Sequence, residues 1–368
     1  MVVSLQQPKM NWNWPEMDAE PVYVVCLGAS TPVGRCAWSS AAAVRAGITG
    51  FGQHPYMVDT AGEPMRVARA PWLDIGLTGA DRFEALMLPA IDQALEPILA
   101  RPQEDLNIAI ALGLPAPRPG LPEELQKELT RRCARKYHGT FGAAASFAAG
   151  HAGGLIALDA ATRKLAMGEL DACVVAGVDS YIQPETLEWL EACDQLHGAG
   201  PLNNAWGFIP GEAAGSVLLM RGAAIRRLQL DPLAQVLGVG TGFEPRRIKT
   251  ETVCIGEGLT ETFRIALANL PDGARVTDVY CDMNGEPYRA DEYGFTCLRT
   301  KEAFDTASDF IAPADCWGDV AAASGPLHVG LAIISGAKSY ANGPYAFVWA
   351  SSEGGERGAA LLSVKRTN

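Results

Sequence analysis

Short runs of β-branched and aliphatic residues alternate along the chain with longer Ala- and Leu-rich stretches of helical period. This is the pattern of an α/β protein whose sheets are covered on both faces. The spacing predicts strands over 22–27, 106–111, 172–176, 214–219, 234–238, 276–282 and 345–350. Helices are predicted over 38–46, 82–98, 123–137, 153–167, 258–268 and 321–336. Pro232 follows a basic stretch, 221–227, and separates two strand-like segments, which makes it the candidate boundary between halves. Each side then has an early strand, a helix, a Gly-containing bend and a closing pair of strands. The organisation expected is a lead-in over 1–21, an N-terminal half over 22–231 and a C-terminal half over 232–368.

A hydrophobic content of 48% over 368 residues is enough for a substantial core. The net charge of -12, with acids and bases interspersed, argues against nucleic acid or an anionic membrane surface as a partner. The local basic patch of Arg246, Arg247 and Lys249 is read as a solvated loop. No stretch approaches the roughly 18 apolar residues of a membrane helix. Nine cysteines, at 26, 36, 133, 173, 193, 254, 281, 297 and 316, form no CxxC pair, so they read as buried thiols of a reducing compartment, and a cytoplasmic protein without a metal is expected. Gly28 and Gly34 lie between a strand and a helix, but the spacing is not GxGxxG and no acidic residue ends a second strand about 20 residues on, so no dinucleotide or other cofactor is expected.

Four segments carry a resemblance to β-ketoacyl synthases of the thiolase superfamily. They are the strand and Gly-rich bend over 24–34 with 46–50, the segments 155–158, 168–172 and 176–180, the run Gly207-Phe208-Ile209-Pro210-Gly211-Glu212-Ala213-Ala214-Gly215, and the helix start Gly318-Asp319-Val320-Ala321-Ala322-Ala323-Ser324-Gly325. The resemblance implies a five-layered αβαβα thiolase fold of two halves related by a pseudo-twofold axis, with helices 153–167 and 321–336 at its centre. It also places the family's nucleophilic cysteine four residues before Leu155, at His151. The two catalytic histidines correspond to Asn284 and Asp319, and the Phe-Gly-Gly gate near the C-terminus to Ser351-Ser352-Glu353-Gly354-Gly355.

A histidine cannot form the acyl thioester that condensation requires. The helix dipole at the elbow would hold its imidazole neutral. Asp319, if ionised, would oppose a developing oxyanion, and Glu353 puts a carboxylate where an apolar gate touches the acyl chain. No catalytic residue is therefore expected, and the chain reads as a non-condensing relative. A rewired hydrolase or acyltransferase built on His151, Asn284 and Asp319 lacks a nucleophile: Cys281 should face the core and Cys316 should lie beside a helix start. Glu212 and Asp179 are expected to serve the backbone of tight turns, His197 to face solvent, and His54, His138 and His328 to ligate nothing.

The resemblance implies a protein partner. One precedent is the chain-length-factor type of subunit that pairs with an active ketosynthase; another is the short divergent ketosynthase-like protein of type VI secretion clusters, an adaptor for an effector. The second is preferred on size and on the loss of the condensing residues. Pairing as a homodimer, or as a heterodimer with a related chain, is expected through the strand within 140–149, and a contact element is expected over 4–20, where Trp12, Trp14, Pro15 and Met17 stand in a polar lead-in.

Overall fold

The computed structural model describes residues 20–101, 105–247, 250 and 252–366. The contact element expected over 4–20 therefore lies, except for Glu20, outside the described residues, as does Lys249 of the basic patch. The first part of the chain runs β1 (Val22–Ser30), α1 (Ala37–Arg45), the hairpin β2 (Phe51–Val58) and β3 (Pro64–Ala68), α2 (Gly79–Leu99), β4 (Ile108–Leu114), α3 (Leu125–Lys136), β5 (Ala143–Ala148), α4 (Gly153–Ala166), β6 (Ala172–Ser180), α5 (Pro184–Ala192), β7 (Glu212–Arg221) and α6 (Gly222–Leu228). The second runs β8 (Ala234–Phe243), α7 (Glu257–Leu267), β9 (Asp278–Cys281), α8 (Pro287–Thr300), the short α9 (Ala314–Trp317), α10 (Ser324–Ala337), β10 (Tyr345–Ser351) and β11 (Glu356–Val364).

Nine strands form one mixed sheet in the order β5-β4-β6-β7-β1-β8-β11-β10-β9. Outward from the β1–β8 junction, each side repeats one connectivity. The opening strand pairs antiparallel with the last strand of its set, which pairs antiparallel with the strand before it, and parallel strands follow. Beyond β9, single bridges from Tyr280 to Ile311 and from Val276 to Phe304 stand where β5 stands beyond β4. The junction is short, pairing Val22, Val24 and the residue between them with 234–236. It lets the sheet fold into two layers around α4 and α10.

Both central helices touch strands of both sets, α4 against β4, β6, β8 and β11 and α10 against β6, β7, β9 and β10. The helix α2 covers the outer face of the first set, with α3 packed beside it, and α7 covers that of the second, with α8 beside it. The result is the five-layered, thiolase-type arrangement. Burial on both faces explains why β6 and β7 read as near-continuous apolar runs.

The central layer depends on glycines. A Cβ on Gly177 of β6 would lie 2.2 Å from the Ala322 carbonyl oxygen, and one on Gly154 of α4 would lie 2.4 Å from Cδ of Pro326 in α10. The helix expected over 321–336 opens instead as a 3-10 turn, Ala321–Ala323, and becomes α-helical at Ser324. The cause is local: Asp319 Oδ1 accepts from the Ala321 N–H at 2.8 Å, and Ala321 takes φ +35° to close the turn. The strand expected over 276–282 is shorter: its ladder with β10 begins at Asp278, and the Val276 N–H bonds instead to the Ala303 carbonyl. The hairpin β2–β3, largely exposed on β2 and interrupted by Pro55, and the helices α5, α6, α8 and α9 had no expectation in the pattern.

Because the Ala322 oxygen belongs to backbone and cannot swing away, Gly177→Ala should destabilise the fold by about 1–3 kcal/mol or more. Gly294→Ala, on the exposed face of α8 with open space around it, should instead stabilise by about 0.5–1 kcal/mol. Urea denaturation of the two variants would check both signs.

Candidate functional site

The strand β5 ends at Ala148, and the chain turns sharply through Gly150, at φ +62°, into a 3-10 turn, Gly150–Ala152, that opens α4. His151 sits at this elbow and is 5% exposed. From the other set, Gly318, at φ +74°, delivers Asp319 to the corresponding start of α10. The two elbows meet. Both Asp319 carboxylate oxygens lie 2.9 Å from His151 Nε2, and Asn284 Nδ2 donates to Asp319 Oδ2 at 2.6 Å. Asn284 also donates to Glu286 Oε2 at 2.9 Å. Glu353 joins at the rim, in the turn between β10 and β11, where its Oε1 accepts from Gln195 Nε2 at 2.5 Å while the same amide donates to Glu286 Oε1 at 3.1 Å. The four positions named from the sequence thus lie in one hydrogen-bonded chain.

The anchor of that chain was not foreseen. Arg289, 1% exposed on α8, donates to Asp282 Oδ2 and to the Ser351 carbonyl, both at 2.8 Å, and its Nη2 lies 3.1 Å from His151 Nε2. It is 3.5 Å from Glu286 Oε2, an ion pair without a hydrogen bond. A signal was present in the sequence: Glu286-Pro287 is a helix entry with proline at its first position, which puts Arg289 in the first turn behind the Asn284 bend.

The electrostatics follow from this cluster. Burial penalises the Asp319 charge, but His151, Arg289 and the Ala321 N–H together hold its carboxyl well below the usual carboxylate range. Burial likewise opposes a charged His151, and Arg289 adds to that. The Asp319 carboxylate outweighs both and raises the imidazole above its ordinary 6.5. This corrects the expectation that the helix dipole would hold it neutral: an ionised carboxylate in contact is a stronger field than a helix terminus. The proton on Nε2 points to Asp319, so Arg289 meets His151 as a charge and not through a hydrogen bond. His328, buried in α10, is pushed down to about 3 by burial.

No hydroxyl or thiol described here is hydrogen-bonded to His151. Ser352 is nearest to the elbow backbone, but its Oγ donates to the Ala149 carbonyl and accepts from the Ala152 N–H at 2.9 Å. Cys281 faces the core, its thiol pushed well up by burial and directed at the Ile311 carbonyl. Cys316 lies at the start of the Gly318 turn, directed at the Val44 carbonyl. The cavity between Cys281, Asp319 and His328 measures about 10 Å³, room for one water and not for an acyl group.

Glu212 and Asp179 are structural, each holding backbone N–H groups, of Ala70 for Glu212 and of Ser180 and Ala322 for Asp179, as well as a buried arginine. Glu212 is fully buried and takes two hydrogen bonds from Arg82, at 2.6 and 2.7 Å. Asp179 pairs with Arg118 at 2.5 Å and accepts from the Ala322 N–H at 3.3 Å, so it ties β6 to the second elbow. His197 is partly exposed, in a loop whose backbone N–H at that residue bonds to the Phe208 carbonyl. Among the described residues, no helix is long and apolar enough to cross a membrane.

Residues 129–224 match the family described as "Beta-ketoacyl synthase, N-terminal domain". No curated protein matches. Among solved structures, the chain is similar to a chain of the AntDE:AntF complex, a type II polyketide synthase acyl-carrier protein with its ketosynthase, at a TM-score of 0.78 and 14% identity over 94% of this chain and 99% of that one. It is similar to the ishigamide ketosynthase/chain length factor, at 0.67 and 20% over 94% and 99%. It also resembles a chain of the ketosynthase ApeO in complex with its chain length factor ApeC from Xenorhabdus doucetiae, at 0.73 and 14% over 96% and 100%.

The linkage sign for His151 is that of a group with a raised folded pKa. Its contribution to stability is fully present below its unfolded pKa and is lost as pH rises through the folded one. The stability gap between the wild type and His151→Gln should therefore be widest near pH 5 and narrow as pH rises above the ordinary imidazole range, as read from urea midpoints. Taken together, these findings show a thiolase-like ketosynthase fold, with residues 129–224 similar to the N-terminal domain of β-ketoacyl synthases.

Proposed function

We propose that this chain is a non-condensing ketosynthase-like protein whose work is to bind another protein chain, with 22–231 and 232–368 as its two halves and the cytoplasm as its compartment. The observation that carries the reading is the contact of His151 with Asp319. The position that aligns with the family's nucleophile holds an imidazole already committed to a buried carboxylate, and the cavity that reaches that carboxylate beside Cys281 and His328 has no room for an acyl group. Asn284, Arg289, Glu286, Gln195 and Glu353 fill the surroundings with mutual hydrogen bonds and ion pairs. Acyl transfer needs an unengaged nucleophile beside a base, and this cluster supplies a base without one.

A protein partner is supported by β5. Among the described residues it pairs with β4 alone, its residues 143–145 are exposed, and it carries no charge or proline that would discourage further pairing. Two of the similar structures are ketosynthases described with a chain length factor. That favours a partner subunit, in a heterodimer with a related ketosynthase-like chain or in a homodimer, over an adaptor for a secretion effector. The adaptor form, with a type VI effector as cargo, rests on resemblance in size and on the replaced residues.

Acyl-thioester treatment followed by intact-mass measurement should give no adduct dependent on His151, and His151→Cys alone should not restore condensation, because Asn284 and Asp319 remain in place. Affinity capture from the native organism, with the partner identified by mass spectrometry, should recover a ketosynthase-like chain or carrier protein. Recovery of a secretion component would move the reading to the adaptor form. Turnover of acyl thioesters by the purified chain would defeat both, and a monomer by light scattering at micromolar concentration, alone and with the captured chain, would remove β5 as the interface.

A further inference from the structure

A second cluster of buried groups lies apart from the His151 chain, where β8, the loop before α7 and α8 converge. Glu244 follows the last residue of β8 and is fully buried; its Oε2 accepts from the Gly258 N–H at 2.8 Å and its Oε1 from the Arg246 N–H at 3.1 Å. Glu292, on α8, is 1% exposed. One of its oxygens accepts from Arg357 Nε at 2.7 Å, and the other, Oε2, has no hydrogen-bond partner. Cys254 is half-buried beside them. One ligand atom from each of the three residues lies within 4.8 Å of the other two.

Two buried carboxylates against the single guanidinium of Arg357 leave a negative charge to be answered. An unbonded carboxylate oxygen away from water costs several kcal/mol unless something occupies it. We propose that Glu244, Cys254 and Glu292 form a binding site for one divalent transition-metal ion of the zinc class.

The donor set chooses the class. A thiolate selects against magnesium and calcium, two carboxylates select against copper(I), and one sulfur with two oxygens suits borderline zinc, with water completing a tetrahedron. Bonds of about 2.0–2.3 Å would set the donors about 3.5 Å apart, a contraction of about 1 Å that rotation of the Cys254 and Glu292 side chains supplies. The frame is fixed on the side of the loop. Gly256, at φ +65°, accepts Thr260 Oγ1 at 2.5 Å through its carbonyl, and a Cβ at that position would lie 2.6 Å from the Glu292 carbonyl oxygen. The segment carrying Cys254 is thus held against the turn of α8 that carries Glu292. On binding, the Cys254 S–H bond breaks, sulfur keeps the electron pair and bonds the ion, and the proton leaves to solvent. The spacing of these residues along the chain, with no two of them in a CxxC or helical i,i+4 relation, explains why no metal signal was legible there.

The test uses the full chain, stripped with a chelator and titrated with zinc against a chromophoric indicator, and separately with cobalt. One ion per chain, a thiolate-to-cobalt charge-transfer band and a rise in Tm with zinc are expected. Cys254→Ser should lose the band, and both it and Glu292→Gln should bind zinc at least about tenfold more weakly with unchanged circular dichroism. In the wild type, zinc should also protect Cys254 from alkylation, as read by peptide mass spectrometry, which decides the matter if a variant fails to fold. No zinc binding, a cobalt band that survives in Cys254→Ser, or alkylation of Cys254 unaffected by saturating zinc would overturn the site.

Discussion

Asp319 and His151 are 168 residues apart, and the fold exists to bring their two turns within hydrogen-bonding distance. The approach is set by backbone against backbone. Gly177 leaves the Ala322 carbonyl room to lie on β6, and Gly154 and Gly325 let α4 and α10 cross with Pro326 and Leu155 in contact. With side chains at these glycines the central layer would be forced apart, and the elbows, the hydrogen-bonded chain around them and the pairing of Asp179 with the second elbow would separate together.

The polar cluster at that meeting point has the properties of a structural core more than those of a reactive centre. Four carboxylates, from Asp282, Glu286, Asp319 and Glu353, share Arg289, His151, Asn284 and Gln195 through direct contacts. A buried ionic group with its partners in place adds little net stability compared with apolar packing, but removing one partner is severe, about 3–5 kcal/mol, because a charge is left behind. Such a cluster does not tolerate a single substitution easily. It does impose one arrangement on the two elbows.

Much of the layered plan was legible in the sequence because buried sheets write long apolar runs. The strands β1, β6, β7, β8 and β10 and the helices α2, α4 and α7 fall within a few residues of expectation. The pattern did not reveal β2 and α8. The first is an exposed strand, and the second is a helix whose inward face carries Arg289, Glu292 and Thr296 in place of aliphatic residues, which no hydrophobic periodicity can disclose. That gap hid the anchor of the site. His151, Asn284, Asp319 and Glu353 could be named from the order of motifs, whereas the protonation of His151 depended on which carboxylate it would touch. A helix dipole can be read from a sequence; a contact across the central layer cannot.

The open edge at β5 has a consequence for how the molecule comes into being. Among the described residues no strand pairs with its outer rim, where Ala143, Ala144 and Ala145 are exposed, and the strand lies in the first half of the chain, so it is synthesised well before β8–β11 can complete the second layer. During that interval the same edge that suits a specific companion also suits any extended segment nearby. With the companion chain proposed for this edge, yield in the cell would be a race set by the relative amounts and timing of the two chains, and the stoichiometry of synthesis would become part of the folding problem.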